Sequence, residues 1–232
     1  MARVRFASAV VILLFFGSLA YMARANDEQY LPIALLLVCA SIVPFFLRYE
    51  SRSLQAREIV LVAVLSAIAA VGRVPFAALP SVQPTSFVII VSALVFGSET
   101  GFMVGAVAAL VSNMFLGQGP WTPWQMFSWG MIGWTAGMLY QRGWLKNRYM
   151  LIAFGFVWGI LFGWIMNIWL LAGMGQDLTW VSVLAVYASS FYFDLAHALS
   201  NVFFLAVLGP GWIKILERYR LKYGLLDSRG WS

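Results

Sequence analysis

The sequence predicts an all-α, polytopic helical membrane protein, and its composition and hydropathy pattern carry this prediction. Of the 232 residues, 62% are hydrophobic and 10% are charged, and the mean hydropathy is +0.84. Soluble domains contain about 25% charged residues, and disordered chains have low hydrophobicity. The apolar residues also form long runs, which differ from the alternating strands of about ten residues in a membrane β-barrel.

Eight apolar segments are separated by short polar breaks, and a basic tail follows them from Gly209. At about 20 residues per span, the length leaves no room for a separate soluble domain. Residues 1–25 also resemble a signal peptide with a cleavage site at Ala23-Arg24-Ala25; we expect a retained helix, and cleavage is the alternative. The predicted spans are residues 4–23, 31–47, 59–79, 84–96, 101–117, 125–141, 150–173 and 186–208.

The distribution of basic residues predicts the orientation of these spans. The formal net charge is +6, from fifteen Lys and Arg against nine Asp and Glu. If the N-terminus is cytoplasmic, every Lys and Arg except Arg24 and Arg73 falls on the cytoplasmic side, as the positive-inside rule requires. Both termini are therefore predicted to be cytoplasmic, and the positive charge needs no nucleic-acid partner to explain it.

The sequence lacks the residues that several kinds of catalysis require. The three lysines precede Asn147, Ile215 and Tyr223, so none of them belongs to a Walker A loop. There is no HExxH or GxSxG motif, and one histidine with one cysteine cannot form a multi-ligand zinc site. We therefore expect neither an enzyme nor an ATPase, with no metal site and no cofactor of its own.

Polar side chains within predicted spans mark candidate functional positions, because they are costly in a bilayer. At about 1.5 Å per residue, Arg73 and Asp194 each lie about 21 Å from the inner end of their helices. Asn113 and Asn167 lie about 18 Å and 25 Å from the inner ends of theirs. These four side chains gather in the outer half of the membrane, where a pocket loaded from outside needs polar groups.

One helix face carries three of the polar residues. Asp194, His197 and Asn201 are spaced i, i+3 and i+7, so they share one side of the last predicted span. This stripe predicts either a proton relay or hydrogen bonds between helices, and we favour the second interpretation for His197 and Asn201. Asp194 either pairs with Arg73 or contacts a ligand, and the sequence leaves both open.

The most distinctive segment is a predicted external loop with two glycines, two prolines and two tryptophans. Proline fixes φ, so the loop is expected to be stiff, and tryptophan combines a broad apolar face with an N–H donor. A ligand wall is the favoured interpretation, and an interfacial aromatic belt is the alternative. The loop reads Gly117-Gln118-Gly119-Pro120-Trp121-Thr122-Pro123-Trp124-Gln125-Met126.

Small residues at four-residue spacing predict close helix packing. They occur as Gly101 with Gly105, Gly133 with Gly137, and Ala63 with Ala67. A double repeat of this spacing lies at residues 155–163. Packing between this protein's own helices accounts for most of these stripes.

Seven short segments stand out in chain order: AREI at 56–59, AVLSA at 63–67, PSVQPT at 80–85, GSETGFMVG at 97–105, the loop at 117–126, FDLAHA at 193–198 and KILER at 214–218. Together, in this order, they resemble the substrate-binding S component of energy-coupling factor (ECF) vitamin transporters. The resemblance covers residues 54–226, and the loop is most similar to the cobalamin-type branch.

The resemblance implies a membrane subunit without ATPase activity that captures a vitamin outside the cell. It implies delivery through a transmembrane coupling subunit and two ATPases, in the cytoplasmic or inner membrane of a prokaryote. Cobalamin is the expected ligand; riboflavin, thiamine or a queuosine precursor is the alternative, and so is a stand-alone proton-coupled secondary transporter. Ala63 and Ala67 match the family's stripe that docks on the coupling subunit.

The resemblance also divides the chain. It implies a six-helix S-component domain at residues 54–226, preceded by a two-helix extension at 1–53 and followed by a tail at 227–232. The two N-terminal spans depart from the six-helix pattern.

The predicted substrate-binding residues are Arg73, Gln83, Asn113, Gln118, Trp121, Thr122, Trp124, Gln125, Asn167 and Asp194.

Overall fold

A computed structural model describes residues 27–50 and 56–225, and this part of the chain is helical without any strand. The predicted first span at 4–23 and the predicted tail at 227–232 lie outside the described residues. Short 3₁₀ helices occupy Val74–Phe76, Trp144–Lys146 and Gly175–Asp177. The α-helices are α1 (Asp27–Glu50), α2 (Ala56–Val71), α3 (Thr85–Phe96), α4 (Ser98–Leu116), α5 (Thr122–Gln141), α6 (Arg148–Ala172), α7 (Trp180–Val207) and α8 (Gly209–Tyr223).

Five of the described segments are long and apolar enough to cross a membrane. They lie within α1, α2 with the 3₁₀ turn after it, α4, α6 and α7. Helix α3 is apolar but has only 12 residues, or about 18 Å, against a hydrocarbon core of about 30 Å. The predicted fold class, an all-α polytopic membrane protein, is confirmed.

Helix α3 forms the centre of the bundle. All of its 12 residues are buried, which agrees with a sequence that is apolar on every side. Helices α2, α4, α5 and α8 pack around it. One residue, Gly97, separates α3 from α4, and its φ of +94° allows the sharp reversal that a residue with a side chain rarely adopts.

Glycine stripes join the helices into two antiparallel pairs. In the α4–α5 pair, the backbone of Gly105 lies against Trp129 and that of Gly101 against Gly133. In the α6–α7 pair, Gly159 lies against the backbone of Ala198. These contacts agree with the close approach that the small-residue spacing predicts.

Helix α1 packs outside the helices of the predicted six-helix domain, on α4, α5 and α6. At one end, Arg48 Nε lies 2.8 Å from Glu99 Oε1, and at the next turn Phe45 stacks on Phe102 with ring centroids 4.0 Å apart. Toward the other end, Ala34 and Val38 of α1 share an apolar cluster with α5 and α6. The second predicted span is therefore tied to this domain along its length.

Three predicted helix boundaries are wrong, each for a local reason. The third span ends at Val71 instead of residue 79, because Gly72 and Pro75 interrupt the helix. The last span begins six residues earlier than predicted, where Thr179 forms a capping box with Ser182. The basic tail from Gly209 is helix α8, because a proline in the first turn does not disrupt a helix.

Arginines at one end of the bundle bind backbone carbonyl groups in the last turns of helices. Arg148 Nη2 donates to the carbonyl oxygen of Ala206 at 3.0 Å, and Arg220 Nη1 donates to that of Val95 at 2.8 Å. Arg57 Nη1 donates to the last carbonyl of α8 at 3.2 Å. The basic residues at this end thus also satisfy carbonyl groups that the helices leave unpaired.

Candidate functional site

Arg73 lies just beyond the end of α2 and joins three elements. Its Nε donates to Gln83 Oε1 at 2.9 Å, on the segment before α3. Its Nη1 donates to Ser112 Oγ at 2.5 Å and to Asn113 Oδ1 at 3.0 Å, near the end of α4. The guanidinium carbon lies 4.9 Å from the ring centroid of Trp129 on α5, a cation–π distance.

Asn113 continues the network into the loop and α5. It is buried, and its Nδ2 donates to Thr122 Oγ1 at 3.0 Å and to Gln125 Oε1 at 2.6 Å. Thr122 Oγ1 in turn donates to Gln118 Oε1 at 2.9 Å and accepts from the N–H of Gly119 at 3.3 Å. Six predicted site residues therefore form one hydrogen-bonded group: Arg73, Gln83, Asn113, Gln118, Thr122 and Gln125.

A second branch runs beneath Arg73 into the core. Trp129 is fully buried, and its indole N–H donates to Ser86 Oγ at 3.2 Å. Ser86 Oγ lies 2.8 Å from His197 Nε2 on α7. The ring of Phe162 stacks on Trp129 and meets His197 edge-on. His197 thus bonds another helix, as the interhelical interpretation predicts.

The segment before α3 is tied to α7. The Gln83 backbone N–H donates to Ser200 Oγ at 3.0 Å, and Ser200 Oγ donates to the Gln83 carbonyl at 3.2 Å. These two bonds fix the position from which Gln83 reaches Arg73. The next residue on α7, Asn201, donates from Nδ2 to the Gly155 carbonyl oxygen on α6 at 3.0 Å.

The two loop tryptophans have different surroundings. Trp121 is half-buried beside Trp169 of α6, with ring centroids 5.7 Å apart, and its ring covers Gly119. Trp124 is buried against Ala34 and Val38 of α1. Trp121 is therefore the one of the pair on the accessible side, whereas Trp124 anchors the start of α5 to α1.

Asp194 and Asn167 form a separate cluster between α6 and α7. Ser190 Oγ donates to Asp194 Oδ2 at 3.0 Å, and Asn167 Nδ2 donates to Ser190 Oγ at 2.8 Å. The carboxyl group lies against Gly163, where any side chain would displace it. No ion pair joins Arg73 to Asp194 in the described residues, so the pairing that the sequence left open is not formed.

Sequence reasoning missed the hydroxyl groups and the buried tryptophan of this site. Short hydroxyl side chains occur throughout membrane helices and also bond their own backbone, as Ser92 does with the Val88 carbonyl. A serine in a span therefore carries little signal, and one tryptophan among eleven carries no more. The residues missed are Ser86, Ser112, Trp129, Ser190 and Ser200.

Ala63 and Ala67, the predicted partner contacts, are exposed on α2. They lie between the exposed apolar side chains of Val60, Val64 and Ile68. This side of α2 faces away from the bundle and is continuous over more than two turns. It is apolar with two small residues, as a helix-docking surface is in a bilayer.

The network around Arg73 can bind a small molecule by hydrogen bonds, since it offers amides, hydroxyls and one guanidinium. Among the described side chains, no three of His, Cys, Asp or Glu lie together as metal ligands. Fold and site together define an integral membrane protein with a polar hydrogen-bonded network between its helices.

Comparisons with known proteins specify the family. The model of the ECF-type riboflavin transporter S component family matches residues 53–218, more than two thirds of the chain. The protein therefore belongs to this family. The predicted resemblance to ECF S components is confirmed at this level, and no comparison supports the cobalamin-type branch.

The curated relatives match a smaller part of the chain than the family model does. A UPF0397 protein of Vibrio atlanticus (strain LGP32) is 29% identical over 98 residues, covering 40% of this chain and 52% of the relative. UPF0397 proteins of Aliivibrio fischeri (strain MJ11) and Aliivibrio salmonicida (strain LFI1238) are each 28% identical over 91 residues, or 37% of this chain and 49% of theirs. The chain thus spans about half the length of these relatives. No solved structure matches it.

Proposed function

We propose that this protein is the substrate-capture subunit of an ECF-type transporter and binds a vitamin-type small molecule from outside the cell. It works in a prokaryotic cytoplasmic membrane and hands the vitamin to a transmembrane coupling subunit driven by two ATPases. The single observation that carries the proposal is the hydrogen-bonded network of Arg73, Asn113 and Gln125 in a chain of the S-component family.

The chemistry of the network supports capture of a heterocyclic or amide-bearing molecule. The amides of Gln83, Asn113, Gln118 and Gln125 can each donate and accept, so they can exchange mutual bonds for bonds to ring carbonyls and nitrogens. Trp121 offers an aromatic face beside them. Such a site recognises a ligand by orientation of polar atoms on an apolar wall, the usual arrangement of small-molecule sites.

Riboflavin is the first ligand to test, because the matched family is described by it. Cobalamin is the second, because the loop at 117–126 resembles the cobalamin-type branch. The purified full chain is titrated with each vitamin by calorimetry, in the wild type and in Asn113→Leu. We expect one vitamin to bind and Asn113→Leu to weaken its binding by about 100-fold, since the three hydrogen bonds of Asn113 hold Arg73, Thr122 and Gln125 in place. Thiamine and a queuosine precursor complete the panel, and failure of all four molecules to bind would contradict the proposal.

The partner interface is a second part of the proposal. We expect the exposed apolar side of α2, with Ala63 and Ala67, to dock on the coupling subunit. Ala63→Trp together with Ala67→Trp should abolish co-purification with the module and leave vitamin binding intact. Ala188→Trp, an exposed alanine on α7, is the matched control. Loss of binding without loss of assembly would place the interface elsewhere.

The alternative, a stand-alone proton-coupled transporter, needs a proton path through Asp194 and His197. These side chains bond Ser190 and Ser86 respectively, and in the described part of the chain no hydrogen bond joins them. The alternative predicts uptake into liposomes without ATPases, and uncoupling by Asp194→Asn. The S-component proposal predicts no accumulation until the module and ATP are present.

A further inference from the structure

Arg73 is a cation whose described neighbours supply no negative charge. Its hydrogen-bond partners, Gln83, Ser112 and Asn113, are all neutral, and Trp129 covers one face of the guanidinium. Among the side chains that the structure describes, no carboxylate lies within ion-pair distance of it. Arg48, in contrast, lies 2.8 Å from the carboxylate of Glu99.

One corner of the guanidinium has no hydrogen-bond partner among the described residues. Nε and Nη1 are bonded, whereas Nη2 makes no hydrogen bond to any described residue. The side chain is half-buried, so this corner is not sealed within the core. Since an arginine carries five N–H donors, the two on Nη2 remain available for an incoming acceptor.

Such an arrangement is unfavourable unless a further group completes it. A charged side chain within a membrane-spanning bundle is costly, and it normally pairs with an opposite charge or lines a pathway. Neutral acceptors recover only part of the lost hydration. An anion placed at Nη2 of Arg73 would therefore complete both the charge balance and the hydrogen bonds of this network.

We propose that Nη2 of Arg73 binds an anionic group of the transported molecule, a carboxylate or a phosphate ester. The inference rests on the proposed function, because it takes this network as the ligand site. The neighbours hold the guanidinium plane before the ligand arrives: Gln83, Ser112 and Asn113 fix its edge and Trp129 its face. Charge-assisted bonds from a pre-oriented arginine are roughly twice as strong as neutral bonds.

The test uses small probes of matched shape. Thermal unfolding of the purified full chain is followed in sodium acetate, sodium phosphate or neutral acetamide, at fixed ionic strength with sodium chloride. We expect saturable stabilisation by acetate, by phosphate or by both, and none by acetamide. The anion that stabilises more identifies the ligand group as carboxylate or phosphate ester.

Variants then assign the effect to Arg73. Arg73→Gln should weaken the apparent anion affinity by about tenfold or more, and Arg73→Lys should give an intermediate value because it keeps charge but loses the fixed plane. Arg142→Gln removes an exposed arginine outside the network and should change nothing. Equal effects of acetate and acetamide, or an anion effect that persists in Arg73→Gln, would overturn the inference.

Asn113→Asp provides an independent check. It places a carboxylate where the Asn113 oxygen now accepts from Arg73 at 3.0 Å, so the protein would supply its own counter-charge. Because aspartate cannot donate as the Asn113 amide does, Thr122 and Gln125 must reorient to donate to it. We expect its response to acetate to disappear, whatever its unfolding temperature without added anion. If this variant does not fold, the two Arg73 variants decide the question.

The inference and the proposed function fail in different experiments. A vitamin that binds the wild type and Arg73→Gln equally well, as is expected of riboflavin because it has neither a carboxylate nor a phosphate ester, supports capture and overturns the anion site. Arg73-dependent stabilisation by acetate or phosphate, with no vitamin bound and no module assembled, supports the anion site and contradicts the transport role.

Discussion

Replacing Gly105 by alanine tests the close contact between α4 and α5. A Cβ at this position would lie less than 3.0 Å from three backbone atoms, two of Trp129 and one of Gly130. Backbone atoms cannot rotate away as a flexible side chain can, so α4 and α5 must move apart. Trp129 would move with its helix, away from Arg73 and Ser86.

The size of the effect follows from two opposing contributions. Overpacking of a dense core costs about 1–3 kcal/mol, and a clash with backbone belongs at the upper end. Alanine in place of glycine returns about 1 kcal/mol through helix propensity. We therefore expect a net loss of about 2 kcal/mol, or about a 30-fold lower ratio of folded to unfolded protein.

Gly211→Ala is the matched control. Gly211 lies in α8 without a positive φ, and a Cβ added to it would have nothing within 4 Å, so only the favourable propensity of about 1 kcal/mol remains. The two variants should thus differ by about 3 kcal/mol. Unfolding in mixed micelles, followed by circular dichroism, measures both. Equal stability of Gly105→Ala and the wild type would refute the contact between the helices.

Three further predictions concern the contacts of α1 and the end of the bundle where arginines bind helix carbonyl groups. Trp124→Ala should destabilise the protein by about 3–5 kcal/mol, whereas Trp124→Phe should be nearly neutral because the buried indole N–H has no partner in the described structure; chemical unfolding separates the two. Arg48→Glu should cost more than the roughly 1 kcal/mol of an exposed ion pair, because it places a second carboxylate beside Glu99, whose side chain is only 9% exposed. Adding Glu99→Arg should restore much of the loss, and failure of the double variant to recover in the same assay would contradict the ion pair. Arg148→Gln should speed amide hydrogen exchange at the end of α7, where Arg148 bonds the Ala206 carbonyl, and unchanged exchange there would contradict that bond.

Much of the fold was predictable because a bilayer restricts a chain strongly. Backbone groups in lipid must bond one another, so long apolar runs become helices whatever else the sequence contains. The glycine spacing also predicted the tight helix pairs, since only small residues permit that approach. The prediction was wrong where local signals compete with hydropathy: α2 stops at Gly72, and α8 extends through residues that read as a basic tail.

The sequence predicted which residues belong to the candidate site better than it predicted which of them contact each other. Polarity within spans singled out Arg73 and Asn113, and these two do bond each other. The same criterion singled out Asp194 and Asn167, which form a cluster of their own with Ser190. Polarity reports that a residue needs a partner, but it does not report which helix supplies the partner.

The sequence by itself determined that this is a helical membrane protein, because composition and run length leave no other fold class. Charge placement predicted its orientation, and the order of its motifs indicated the S-component family. Only the tertiary structure decided that Arg73 lies beside neutral acceptors and apart from Asp194, and that Trp124 faces α1. Such pairings depend on how helices rotate and cross, and many weak contacts along the whole bundle set these angles.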